Sequence, residues 1–421
     1  MKKTLTVICT LLLAAVSFAQ NYNVREEVLS DLRKAAGMEG PYRFDAPAPT
    51  PCPKGYKPFY ISHYGRHGSR YSWTSMTYTE LHRYLTDARE AGMLTPYGQD
   101  FCERFEDFYK MPLINAGDLV PLGWEQHKRI AAIMYDEFPQ VFAKGGKIEA
   151  VVSTAPRSIV SMSSFCLSLK EKNPDLEFYQ SSTHAGMLVA APSSAPEQLK
   201  PVARKMDPMP ELESESDFFH RTVDYDGILG KIFSDPAFLD SYEDGRTRFV
   251  YYLNMLIGGY HNHESEPIFD DLLSPGQYYG LWEAHNYGSY LVDLNARYEN
   301  VPLLQDIIAK ADKAIEGSAE GKVADLRFGH DYVIEAFMAL INANGCGTVV
   351  TKADDVKYWF QSYNIPMAAN AQFVFYRPKK KGGEILFKLM WNGAEATLPQ
   401  LKPVSGPYYS WQEFKDWCAS I

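Results

Sequence analysis

Phe59-Tyr60-Ile61-Ser62-His63-Tyr64-Gly65-Arg66-His67-Gly68-Ser69-Arg70 is the stretch that sets the fold of this chain. Phe59-Tyr60-Ile61 has the aromatic and β-branched make-up of a strand. The cationic Arg66–Arg70 segment follows it directly. Beyond it the pattern alternates. Thr77 and Glu80 are spaced as a capping box for a helix to about Ala91. A second helix follows Gly123, with Ile130, Ile133, Met134 and Phe138 on one face. Glu149-Ala150-Val151-Val152 is a strand, and Ile159, Met162, Cys166 and Leu169 then recur at helical spacing. Leu176 to Tyr179 is a short strand. This β–α–β–α order predicts an α/β fold: a three-layer domain with a parallel sheet and helices on both faces.

From about residue 184 to 320 strand signals thin out and acidic helical segments take over. The expectation is an inserted, mainly helical cap domain at 184–320, with the α/β domain formed by 20–183 and 321–421. The sheet pattern returns at Val323 to Phe328. A helix from Asp331 to Asn344 follows, with Gly345 as its C-cap. Phe373-Val374-Phe375-Tyr376 and Ile385-Leu386-Phe387-Lys388-Leu389 flank a Lys379–Gly383 tip and read as a hairpin.

Three segments carry chemistry, and each lies between a strand and a helix. In Arg66-His67-Gly68-Ser69-Arg70, two guanidinium groups disfavour protonation of the imidazole and can hold an anionic phosphate bidentately. Neutral imidazole is a good nucleophile. Gly68 lets the backbone come close to a ligand. Ser153-Thr154-Ala155-Pro156-Arg157-Ser158 offers Arg157 as a third clamp. In Arg327-Phe328-Gly329-His330-Asp331, His330 is a phosphate ligand and Asp331 a proton donor to a leaving oxygen, although Asp is also common at helix starts. Ligands in open α/β sheets bind beyond the carboxyl ends of the strands, where all three segments fall.

Composition narrows the partners. The 421 residues carry a net charge of −10, which argues against nucleic acid but leaves room for a small phosphorylated substrate in a local cationic cleft. Lys2 and Lys3, the apolar Leu5 to Val16, and Ser17-Phe18-Ala19 read as a signal peptide over residues 1–19. The expected product is periplasmic or secreted, with no stable membrane insertion. Of six cysteines, Cys9 leaves with that leader, and Cys52, Cys102, Cys166, Cys346 and Cys418 remain. Their spacing fits no zinc motif, and neither metal nor cofactor is expected. Oligomeric state has no sequence signature here.

In these motifs the chain resembles the histidine phosphatase superfamily, in the branch of acid phosphatases, phytases and multiple inositol polyphosphate phosphatases. The resemblance rests on Arg66–Arg70, Leu122-Gly123-Trp124-Glu125-Gln126, Ser153–Ser158, His330-Asp331 and Met390-Trp391-Asn392-Gly393, and spans roughly 55 to 400. It implies that His67 is the nucleophile, that Arg66, Arg70, Arg157 and His330 bind phosphate, and that Asp331 donates the proton. It also implies an α/β domain with an inserted helical cap. Arg70-Tyr71 looks closest to the inositol polyphosphate phosphatases. Those usually carry His-Ala-Glu where this chain has His330-Asp331, the pattern of acid phosphatases and many phytases.

The expected activity is therefore hydrolysis of phosphomonoesters through a phosphohistidine, on inositol polyphosphates such as phytate. The alternatives are a general acid phosphatase, a sugar-phosphate phosphatase, a mutase or phosphotransferase on the same intermediate, or a phosphorylated-ligand binding protein. Lys200, Arg204 and Lys205 are candidates for extra substrate phosphates, against a solvated helix face. His261 and His263 read as structural rather than metal ligands. His63 either lines the pocket or packs, and His184 is a pocket candidate after a strand end.

Overall fold

The computed structural model describes residues 23–200, 210–263, 268–380 and 382–421. The leader at 1–19 and the candidates Arg204 and Lys205 lie outside them.

The centre is an eight-stranded sheet. Its strands are β1 (Tyr56–Arg66), β2 (Gly146–Val152), β3 (Leu176–Ser181), β4 (Lys322–Gly329), β5 (Asn370–Pro378), β6 (Leu386–Trp391), β7 (Ala394–Ala396) and β8 (Tyr409–Ser410). The order is β3-β2-β4-β1-β5-β6-β7, with β8 on β6. β3, β2, β4 and β1 are parallel, whereas β5 runs antiparallel to β1 and starts the hairpin with β6. The sheet is thus mixed, with the expected parallel half carrying the motif loops.

Side-chain alternation gives each face its own core. Tyr60, Tyr64, Phe373 and Phe375 point into one, against the helices Val301–Glu316, Asp331–Leu340 and Trp411–Cys418. Ile61, Ala324, Leu326, Phe328 and Val374 point into the other, against the helices Pro121–Glu137 and Pro156–Lys172. A strand covered on both faces is buried almost continuously, as β1 is from Tyr60 to Arg66.

A third core is wholly helical. It joins residues of Val24–Leu29, Met76–Glu90 and Pro96–Phe108 to Tyr225–Ile232, Gly245–Gly259 and the first half of Pro275–Ala296. The 184–320 stretch therefore feeds two cores: Tyr225–Ile232, Gly245–Gly259 and the first half of Pro275–Ala296 build the helical one, while Met187, Phe218, Tyr287, Tyr290 and the helix Val301–Glu316 pack in the core against the sheet. That last helix carries Asp306, whose carboxylate accepts from Arg327 Nε at 2.7 Å. Arg327 is thus a buried structural ion in the sheet, also donating to Ser62 Oγ at 2.9 Å.

Two local expectations are corrected. The Thr77/Glu80 capping box does not form: the helix starts at Met76 after Ser75, with no side-chain cap. Thr77 is buried and bonds Ser72 Oγ at 2.8 Å, and Glu80 pairs with Arg83 instead. The helix from Asp331 ends at Leu340, not Asn344. Asn342 (φ 48°) and Asn344 (φ 52°) turn left-handed before Gly345 is reached, a conformation asparagine tolerates. The five described cysteines are all unpaired, and all but Cys52 are buried.

Candidate active site

The three motif loops meet at the carboxyl end of the parallel strands. β4 lies between β1 and β2, so the segments after all three strands are neighbours. The backbone ties them together. His67 N–H donates to Gly329 O at 2.9 Å, Ser153 N–H to Phe328 O at 3.0 Å, and Ala368 N–H to His67 O at 2.9 Å.

His67 is buried, and its Nδ1 lies 3.0 Å from Gly68 O. With Nδ1–H donating there, the neutral ring keeps its lone pair on Nε2. Burial holds the His67 pKa well below its usual value, and the charges of Arg66, Arg70 and Arg157 push it further down. Both effects favour the neutral, nucleophilic form of the ring. The His330 ring centroid is 5.6 Å away, and His330 stacks on Tyr332. Burial lowers its pKa to about 4, with Arg157, Arg66 and Arg70 adding to the effect against Asp331.

Arg66 is fully buried. One guanidinium nitrogen donates to Met38 O (2.6 Å) and Ile365 O (2.8 Å), and the other meets Asp331 Oδ2 at 2.5 Å. Arg70 pairs with Glu39 at 3.1 Å. Arg66, Arg70 and Arg157 each keep a buried Nε–H with no partner among the described residues. Buried charges with spare donors are costly unless something answers them. For Arg157, burial and the charges of Arg70 and Arg66 lower the pKa against Asp331. A tetrahedral dianion is the ligand that would relieve all three.

Asp331 follows His330, the N-cap of its helix, and its Oδ1 accepts from Tyr332 N–H at 2.9 Å. It thus serves its helix as well as Arg66. Burial raises its pKa, but Arg66, Arg70, that backbone bond and His330 prevail and hold it at about 2. The resting carboxyl is ionised.

No family model matches the chain, and no curated protein matches it. Solved structures do. The multiple inositol polyphosphate phosphatase of Bifidobacterium longum, in complex with phosphate, superposes with a TM-score of 0.73 at 19% identity over 92% of this chain and 98% of that one. The phytase of D. castellii gives 0.65 at 14% over 95% and 86%, and that of Hafnia alvei 0.54 at 11% over 88% and 98%. This chain has the phosphatase fold of those enzymes.

Within that fold the sequence-predicted residues His67, Arg66, Arg70, Arg157, His330 and Asp331 converge. Lys200 instead pairs with Glu197 at 3.1 Å. His184 is exposed. His63 packs, buried between Phe165 and Phe328. His261 pairs with Asp270, and His263 lies against Tyr71 and Phe108.

Supporting residues emerge that the sequence did not single out. Ser69 N–H donates to Gln126 Oε1 at 2.8 Å, and Ser69 Oγ–H to Asn262 Oδ1 at 2.7 Å. Asn262 in turn donates to Glu39 O at 2.7 Å, so one chain of bonds fixes both Ser69 and the partner of Arg70. Gln126 lies in the quoted Leu122–Gln126 motif and was within reach of sequence reasoning. Asn262 and Glu39 had no local signal, because their partners are distant in the chain.

Gly68 also acquires a second reason. A Cβ there would sit 2.4 Å from Gly123 O, and one on Gly123 would sit 2.3 Å from Ser69 O. The Arg66–Arg70 loop and the helix Pro121–Glu137 touch backbone to backbone. Gly123→Ala is expected to lower the melting temperature, with overpacking worth about 1–3 kcal/mol, and to impair turnover by shifting the loop. A thermal melt and a rate assay on the same preparation check this.

Proposed function

We propose that the chain is an exported phosphomonoester hydrolase working through a phosphohistidine on His67, with inositol polyphosphates as its substrates. The observation that carries the reading is a buried His67, held toward its neutral form by burial and by the charges of Arg66, Arg70 and Arg157, whose Nε–H groups are buried and unpartnered among the described residues. The export part rests on the leader motif, and no helix among the described residues is long and apolar enough to cross a membrane.

In the first step His67 Nε2 attacks phosphorus and the ester P–O bond breaks. Asp331 supplies the proton to the departing alkoxide, and the arginines hold the equatorial oxygens as charge redistributes. In the second step Asp331 takes a proton from water, which attacks the phosphohistidine and frees His67. Because Asp331 rests ionised against Arg66, it must gain a proton when substrate binds. The incoming phosphate favours this, since its charge offsets the cations that hold the carboxyl at about 2.

The substrate part is supported by the fold neighbours: one Bifidobacterium longum structure is a complex with inositol hexasulfate. Rapid acid or base quench of the wild-type protein during turnover is the direct test of the intermediate. Acid-labile, base-stable phosphate on His67 is the expected result, and phosphate on any other residue would refute it. For the substrate, kcat/KM is expected to be at least as high for inositol hexakisphosphate as for glucose 1-phosphate and p-nitrophenyl phosphate. A deficit of tenfold or more, about 1.4 kcal/mol of transition-state binding, would favour a general acid or sugar-phosphate phosphatase.

EDTA is expected to leave the rate unchanged. The three guanidinium groups supply the charge that a divalent cation would otherwise bring to the phosphoryl oxygens. Loss of activity on chelation, with recovery on adding metal, would contradict this.

A further inference from the structure

Behind Asp331 lies a second acidic pair. Glu335 is one helical turn after Asp331 on the same helix, and Asp293 projects from the helix Pro275–Ala296. Both are almost completely buried, at 2% and 3% exposure. Neither Glu335 oxygen has a donor among the described residues, yet the Asp293 carboxyl lies within hydrogen-bonding reach. Two carboxyl groups bond to each other only when at least one is protonated. Asp293, Glu335 and Asp331 line one cavity of about 250 Å³, together with Tyr332, Glu215 and His285.

We infer that Asp293 and Glu335 form a proton-holding pair that loads Asp331 when substrate binds. The inference rests on the proposed role of Asp331 as acid. It answers the question that role leaves: where an ionised Asp331 finds its proton. The transfer balances simply. One O–H bond of the pair breaks, an O–H bond forms on Asp331 as the proton moves through the shared cavity, and the pair is left one unit more negative. The phosphate just bound at the arginines compensates for the positive charge gained at Asp331. The proton returns from solvent or from the completed cycle.

The electrostatic surroundings agree with that geometry. Burial raises the pKa of both carboxyls; for Asp293 the bond with Glu335 opposes this and Asp331 adds to it, and Glu335 is pushed further up by Asp293 and Asp331 against Arg66. Of the other groups facing the pair, buried His285 has its pKa lowered to about 4 and stays neutral. Cys346 is a buried thiol pushed upward by burial and by Glu335, so it brings no charge. Glu215 adds a further carboxyl across the cavity. Arg66 is the cation among them, and Asp331 already engages it. The sign follows: groups with raised pKa keep their protons in the mildly acidic range and lose them as pH rises.

The test compares pH profiles of kcat/KM for an alkyl phosphate and for p-nitrophenyl phosphate in wild type, Asp293→Asn and Glu335→Gln. Without the pair, the substrate monoanion must bring the proton, so the alkaline limb for the alkyl ester is expected to move in the acid direction, to the second phosphate ionisation near ~6. The limb for p-nitrophenyl phosphate is expected to stay in place, since that leaving group needs no proton. Infrared difference spectra of resting wild type are expected to show a protonated carboxyl band at neutral pH that weakens in Glu335→Gln. A wild-type limb already at the substrate ionisation, equal movement for both esters, or no protonated carboxyl band would each overturn the inference. The infrared measurement needs neither a variant nor turnover, so a failure there is distinct from a failure to trap phosphohistidine, which would strike the proposed function itself.

Discussion

His67→Ala is expected to abolish turnover while the fold survives. Among the described residues the side chain it removes makes one hydrogen bond of its own, from Nδ1 to the adjacent Gly68 O. The backbone bonds that hold the loop, His67 N–H to Gly329 O and Ala368 N–H to His67 O, do not depend on the imidazole. Removing a buried ring leaves a cavity, a cost to stability that leaves those backbone bonds in place. The chemical loss is of a different order. Without a nucleophile there is no covalent intermediate, and the arginines can only bind phosphate. The expected residual rate is that of charge stabilisation alone, a fall of many powers of ten from the 10⁶-fold or greater accelerations typical of enzymes, roughly 8 kcal/mol or more. Phosphate binding is expected to persist, because Arg66, Arg70 and Arg157 remain. A rate assay, a phosphate-binding titration and a melting curve together check this. Retained turnover would remove His67 from its role, and lost phosphate binding with an intact melt would mean that the ring, not the guanidinium groups, anchors the anion.

Much of this site was legible in the sequence because its parts obey local rules. Arg66-His67-Gly68-Ser69-Arg70, Arg157 and His330-Asp331 each follow an apolar strand, and strand order alone brought them together once β4 inserted between β1 and β2. The parallel half of the sheet followed from the same alternation. What the sequence did not give was set by contacts between distant segments. Thr77 and Glu80 had capping-box spacing, but Ser72 and Arg83 claimed them. The helix expected to run to Asn344 and the Gly345 cap ended at Leu340, before the left-handed Asn342 and Asn344. Gly68 looked like a concession to ligand and proved also to be a concession to Gly123. Glu39 and Asn262, which steady Arg70 and Ser69, touch each other across 223 residues of chain. The ionised state of Asp331 was likewise hidden. A carboxyl named as acid suggests a protonated group, whereas the pairing with Arg66 makes it a resting anion.

That pairing shapes the second large effect. Asp331→Asn is expected to slow esters of poor leaving groups by ~10²–10⁴-fold while leaving p-nitrophenyl phosphate far less affected. The amide cannot give a proton to an alkoxide, and nitrophenolate hardly needs one. Two opposing consequences separate this variant from a merely structural lesion. The first is a gain: Asn carries no charge, so Arg66 loses its 2.5 Å partner and its positive charge is freed for phosphate. Phosphate is therefore expected to bind at least as tightly to the variant, and KM for p-nitrophenyl phosphate to fall or hold. The second is a loss in the second step, where ionised Asp331 should take a proton from the attacking water. Hydrolysis of phosphohistidine is expected to slow, so the intermediate should accumulate with p-nitrophenyl phosphate as a burst of nitrophenol before the steady state. Rapid-mixing kinetics read the burst, and a leaving-group series reads the first step. Equal losses across the series, with no burst, would mean that Asp331 serves Arg66 and its helix rather than the departing oxygen.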